Sequence, residues 1–160
     1  MVALGAAPAD EPLTQRHRLP SEPETANHQE GFGYRGSAFF KIVGDEYLLA
    51  GDITNNDGTG GKSIWGGDFE DDGFTLRHRA RHYVSMWNRG TPDSNNSQLL
   101  FTLKPLPELD ETNVVVGRVL GGGSVLDQIV ERARRDDDGV IQGVTITNSR
   151  AELEPYLLEE

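Results

Sequence analysis

Cysteine is absent from all 160 residues, which excludes a disulfide framework and any thiolate metal site. The compartment stays open, because oxidising and reducing spaces both host cysteine-free proteins. No apolar run approaches the ~20 residues of a membrane span, so no integral segment is expected. Positive charge is scarce: 15 Lys and Arg stand against 26 Asp and Glu, a formal net charge of -11 at pH 7. That deficit argues against binding to nucleic acid or anionic lipid, which requires clustered cations, and suits a protein partner with basic patches. The opening MVALGAAPADEPL lacks both a basic start and a continuous apolar stretch, so it does not read as a secretory signal; a targeting segment removed ahead of it is compatible with the sequence.

What is present amounts to one domain with a single core of ordinary size. Residues 1–30 form an irregular arm in which Pro8, Pro12, Pro20 and Pro23 interrupt helix and central strand alike. From Ser37 the pattern changes. Ala38–Val43 and Tyr47–Leu49 are short apolar runs bounded by glycine and read as strands flanking a turn. Residues 51–68 carry six glycines among Asn and Asp and read as a long loop ordered by contacts instead of ladders.

Tyr83–Trp87 and Leu99–Leu103 are further strands of an antiparallel meander, and Val114–Val116 reads as a fully buried strand. GGGSVLDQIVERARR predicts a helix over Ser124–Arg134, with Ser124 as N-cap, Asp127 in a capping box and Val125, Ile129 and Ala133 on its inner side. Val144–Ile146 is expected as a last strand, ahead of an acidic tail at 151–160.

Three motifs fail on position. GTGGKS lacks the first glycine of a phosphate loop, which falls on Asn56, and Ile64, Trp65, Gly66 and Gly67 follow it where a helix is needed. The run from Asp52 has Asp57 and Ser63 where a calcium loop needs its turn glycine and bidentate glutamate. His78 and His82 are spaced for one helix face, but with no third ligand nearby they read as part of a solvated basic turn. No metal centre and no cofactor is expected.

GFGYRGSAFFKI, GTGGKSIWG with FEDDGF, VSMWNRG with NSQLLF, and VVVGRVLGG occur in the order and spacing of the cyclophilin family. The chain resembles a divergent cyclophilin over about Gly31 to Thr147, and DEPLTQRHRLPSEPETAN lines up with the family's first hairpin and first helix, the latter shortened near Thr25. The resemblance implies a mainly β fold: a closed eight-stranded antiparallel barrel over 31–150 with one or two capping helices, entered through an arm that holds a degenerate first hairpin.

The family isomerises X-Pro peptide bonds, whose barrier of ~18–20 kcal/mol comes from partial double-bond character. It does so with an arginine directed at the prolyl carbonyl beside an apolar pocket for the proline ring. On that resemblance the arginine falls on Lys41, which keeps the charge and loses the planar two-donor fork. The pocket phenylalanine falls on Glu46, the methionine on Tyr47 and the glutamine that braces the arginine on Leu49. A groove alanine falls on Trp87, a second phenylalanine on Leu100, and a histidine on Asn113, while Asn88, Gln98 and Leu109 match.

Glu46 is expected to compete for the charge of Lys41. Tyr47, Leu49 and Leu100 alternatively pack the barrel interior. The tryptophan through which the family binds cyclosporin falls on Glu108. Two functions follow from these departures. One is a catalytically silent structural or peptide-binding subunit of a larger complex; the other is an active prolyl isomerase of altered specificity that takes prolyl peptides.

Overall fold

The computed structural model describes residues 33–133 and 139–149. The arm, the shortened helix near Thr25, the acid run Asp136–Asp138 and the tail lie outside the described residues. Five strands form one antiparallel sheet: β1 (Phe39–Val43), β2 (Tyr47–Ala50), β3 (Tyr83–Met86), β4 (Leu99–Thr102) and β5 (Val115–Arg118), in the order β1-β2-β4-β3-β5. Among the described residues this sheet is open, where the resemblance implied eight strands closed into a barrel.

Two expected strands are shorter than their apolar runs. Val144–Ile146 makes a single bridge, Thr145 to Ala38, with Phe39 N donating to Val144 O at 3.0 Å and Ile146 N to Ser37 O at 2.8 Å. Together with the bond from Ile141 N to Phe40 O at 3.0 Å, these line the outer edge of β1 without a continuous ladder. Val114 precedes β5, and only Val115 within that strand is buried, because Val116 and Gly117 are partly open on the sheet's edge.

The sheet has two apolar faces. On the inner one, Phe39, Ile42, Leu48, Ala50, Val84, Met86, Leu99 and Phe101 form the main core, and Phe39 meets Phe101 at a ring separation of 5.3 Å. The helix α1 (Gly123–Ala133) closes this face through Leu126, Ile129 and Ala133. Its apolar stripe thus starts at Leu126, and Val125 is exposed, against expectation. The helix begins one residue before Ser124, after Gly122 in the left-handed region at φ 81°, so Ser124 is inside the first turn instead of capping it; Asp127 pairs with Arg81 across to the β3 entry.

The loop after β2 is organised by one carboxylate. Asp52, buried at its start, accepts backbone N–H bonds from Asn55 at 2.9 Å, Gly58 at 2.9 Å, Gly60 at 3.0 Å and Thr54 at 3.2 Å. The Thr54 hydroxyl adds a further bond at 3.1 Å. Burial acts to raise the carboxyl's pKa, but these donors outweigh it and hold Asp52 well below the usual carboxylate range. The loop is thereby pressed against β1: a Cβ on Gly58, at φ +88°, would stand 2.6 Å from the Phe40 ring.

Replacing Asp52 with alanine strands these donors, and the melting free energy is expected to fall by about 2–4 kcal/mol. Because the folded-state pKa is depressed, Asp52 contributes in full above the ordinary carboxylate range, and that contribution is lost progressively as pH falls below that range and through the lowered folded-state pKa. Asp52→Asn should therefore flatten the acid limb of a stability-against-pH curve; a wild-type limb in the variant would remove Asp52 from this role.

Candidate functional site

The second face of the sheet carries the residues that the sequence singled out. Strand register sets Lys41 opposite Leu49, Leu49 opposite Leu100, and Leu100 opposite Ser85, so one row of side chains crosses four strands on one face. Phe40, Leu49 and Leu100 form a buried cluster there, covered by Tyr47, Trp87 and Leu109. Leu49 and Leu100 thus pack outside the main core, not in the barrel interior. A bulge between Phe39 and Lys41 lets Phe40 join this cluster while Phe39 faces the core.

The cluster's cover is aromatic. Tyr47 and Trp87 meet at a ring separation of 5.7 Å, inclined by 40°. Burial, and then the charge of Glu46, raise the Tyr47 phenol above its ordinary range, so it stays protonated. Leu49 and Leu100 beneath this lid are each 3 % exposed or less, and so are Asn88, Gln98 and Asn113. Of the catalytic and peptide-binding candidates Lys41, Tyr47, Leu49, Trp87, Asn88, Gln98, Leu100, Leu109 and Asn113, only Lys41 is well exposed, and Tyr47, Trp87 and Leu109 are partly so.

The polar members bond mainly to the protein itself. Asn88 Nδ2 donates to Thr112 O at 2.7 Å, and its Oδ1 accepts from Gly90 N at 3.0 Å and from Asn113 Nδ2 at 3.3 Å. Asn113 Nδ2 also donates to Met86 O at 3.0 Å. Gln98 Nε2 reaches the glycine loop, donating to Gly60 O at 2.6 Å and Gly58 O at 3.1 Å; its Oε1 has no partner among the described residues. Arg89 also donates to Gly60 O, so a guanidinium spans from the end of β3 to the loop. That strap was not foreseen from the sequence.

Lys41 stands alone at the rim. Glu46 pairs with Lys104, Nζ to Oε1 at 3.1 Å, and not with Lys41 as expected. Strand pairing explains the difference: the Glu46 carbonyl accepts from Leu103 N at 2.7 Å, which sets the chain beside Lys104. Lys41 Nζ has no polar partner among the described residues, and the side chain opposite it is the apolar Leu49.

Behind the row, where a solvated basic turn is expected from the sequence, lies a buried polar bridge. His78 is 1 % exposed; its Nδ1 lies 2.9 Å from Asp110 Oδ1 and its Nε2 3.1 Å from Ser85 Oγ. Ser85 donates onward to Val114 O at 2.8 Å. The backbone N–H of His78, at 2.7 Å, is the chief cause that holds the Asp110 carboxyl below its usual range, against the effect of burial. This bridge fixes Leu109 and the 3₁₀ turn Pro107–Leu109 beside the aromatic lid. Glu108 is exposed on that turn.

A family model described as cyclophilin type peptidyl-prolyl cis-trans isomerase/CLD matches residues 19–151. The E3 SUMO-protein ligase RanBP2 of Homo sapiens is 40 % identical over 119 residues, 74 % of this chain and 4 % of that protein. The peptidyl-prolyl cis-trans isomerase cyp11 of Rhizopus delemar is 37 % identical over 115 residues, 72 % of this chain and 34 % of that protein. The chain therefore corresponds to a minor part of both relatives. The matched span includes all five strands, the Asp52-bound glycine loop and the helix on the inner face; the chain belongs to the cyclophilin-type peptidyl-prolyl cis-trans isomerase family.

Proposed function

We propose that this chain is a cyclophilin-like domain whose prolyl groove is filled by its own side chains, and that it serves as a structural or peptide-binding unit of a larger complex. The observation that carries the reading is the Tyr47–Trp87 pair lying over a cluster in which Leu100 is fully buried. A proline ring needs an open apolar pocket, and here the aromatic rings occupy the space above the floor. Lys41 supports the same reading: its point charge sits opposite Leu49, which has no polar atom to brace a donor.

The partner is a protein with basic patches, suited to the net charge of -11. Residues 1–30 are its irregular arm, 31–150 its barrel and 151–160 its acidic tail. The eight-stranded closure of that barrel is part of the same proposal; among the described residues β1 and β5 are the edges of the sheet, and the 139–146 segment bonds along β1. RanBP2, in which the matched stretch is 4 % of the length, is a relative whose corresponding stretch lies within a much larger chain. One observation favours an active isomerase of altered specificity: the Lys41 ammonium is not neutralised, since Glu46 is held by Lys104.

A proline-peptide isomerisation assay separates the two. The rate constant should lie at least ~10²-fold below that of an ordinary cyclophilin, the cost of one lost preorganised donor. A comparable rate would overturn the silent-domain reading. Lys41→Arg alone should leave the rate low, because Leu49 cannot orient the guanidinium; recovery by that single change would mean that the groove is already open. Cyclosporin should bind poorly in titration calorimetry, because Glu108 offers no donor when ionised and Trp87 fills the groove. Submicromolar binding would contradict this.

A further inference from the structure

The turn that follows β3 presents a hydroxyl that the fold itself does not use. Asn88 O accepts from Thr91 N at 3.0 Å, and the two residues between them, Arg89 and Gly90, stand at φ 56° and 79°, the left-handed pair that a type I′ turn requires. Arg89, Gly90, Thr91, Pro92 and Asp93 are all exposed. Ser94 fastens this turn from behind, its hydroxyl donating to Thr91 O at 2.6 Å and to Asn88 O at 2.9 Å. The Thr91 hydroxyl, by contrast, makes no hydrogen bond among the described residues.

Thr91-Pro92 is the only Ser-Pro or Thr-Pro step in the sequence. Proline brings no N–H and disfavours helical geometry in the residue before it, so the acceptor threonine favours an extended backbone. On the same turn, Arg89 donates to Gly60 O, and no carboxylate pairs with it among the described residues. A guanidinium held only by a neutral carbonyl is open to a stronger acceptor.

We propose that Thr91 is a phosphorylation site for a proline-directed protein kinase, and that its phosphate draws Arg89 off the Gly60 carbonyl. In the transfer, Thr91 Oγ1 attacks the γ-phosphorus of ATP. The Oγ1–P bond forms, the bond from that phosphorus to the bridging oxygen breaks, ADP leaves, and the hydroxyl proton passes to the kinase's catalytic aspartate. The product carries a charge of about −1.5 to −2 at pH 7 and strong acceptor oxygens that suit a guanidinium. Positions of one four-residue turn lie within about 7 Å of each other, so Arg89 reaches Thr91 by turning its side chain alone. Gly60 O then keeps Gln98 as its side-chain partner, and the glycine loop loses its second strap. Asp93 is the nearest acid in sequence; its Oδ1 accepts from Asp71 N at 2.9 Å, and repulsion by the phosphate acts against that clasp. The turn is separate from Lys41, so the site stands whether or not the groove turns over prolyl peptides.

The test is incubation of the full 160-residue chain with a cyclin-dependent kinase and Mg-ATP, followed by intact-mass and fragment analysis. Phosphate should appear on Thr91, and Pro92→Ala should abolish it while the amide spectrum of the sheet stays unchanged. Phosphorus NMR reads the second half of the proposal. The phosphate's second ionisation should fall at lower pH in the wild type than in phosphorylated Arg89→Gln, and the Gly61 amide, whose peptide group holds the Gly60 carbonyl, should move further in the wild type on phosphorylation. An unmodified Thr91, equal modification of Pro92→Ala, or equal ionisation in the two phosphorylated chains would each overturn the proposal. None of these readouts depends on isomerase activity.

Discussion

A strand with apolar side chains on both faces must be covered twice, and β4 imposes that demand on the whole domain. Leu99 and Phe101 point into the main core beneath α1, while Leu100 points the other way. The main core cannot serve Leu100, so Phe40, Leu49, Tyr47, Trp87 and Leu109 gather on it. Each large apolar side chain buried in this way contributes about 1.5–3 kcal/mol. On the function proposed above, the same packing leaves the face that a prolyl peptide would use occupied by the protein's own rings.

Two polar devices hold the cluster in place from its flanks. Asp52 ties the glycine loop down on the Phe40 side, and the His78–Asp110–Ser85 bridge ties the 3₁₀ turn down on the Leu109 side. Both are buried and bonded through several donors, so they resist the local opening that would lift the lid. Arg89 and Gln98 join the loop from the third side through the Gly60 carbonyl. The rim that remains open is the one at Lys41.

Local patterning made the strands and the helix legible, because apolar runs bounded by glycine leave few alternatives. Boundaries were less so: Val144–Ile146 has strand composition, yet it finds its partner only at Thr145. Collinear glycine motifs pointed to the family and to the residues of one sheet face. What they could not give was the use of each charge. Glu46 is next to Tyr47 and five residues from Lys41 in sequence, but the register of β2 on β4 gives it Lys104 instead. His78 lies among three arginines, a solvated context in sequence, and only the fold brings Asp110 and Ser85 to it from 32 and 7 residues away. Arg89 follows Asn88 in a turn, and nothing local signals that its guanidinium returns to Gly60.

The central claim is that Tyr47 and Trp87 close the groove and stay closed. Ring-to-methyl nuclear Overhauser contacts from Trp87 to Leu49 and Leu100 measure this most directly, first in the free protein and then with an alanine-proline peptide in large excess. The account predicts contacts of equal strength in both spectra. Their loss on adding the peptide, with shifts at Leu100 and Lys41, would show a lid that swings aside for a proline ring, and would contradict it.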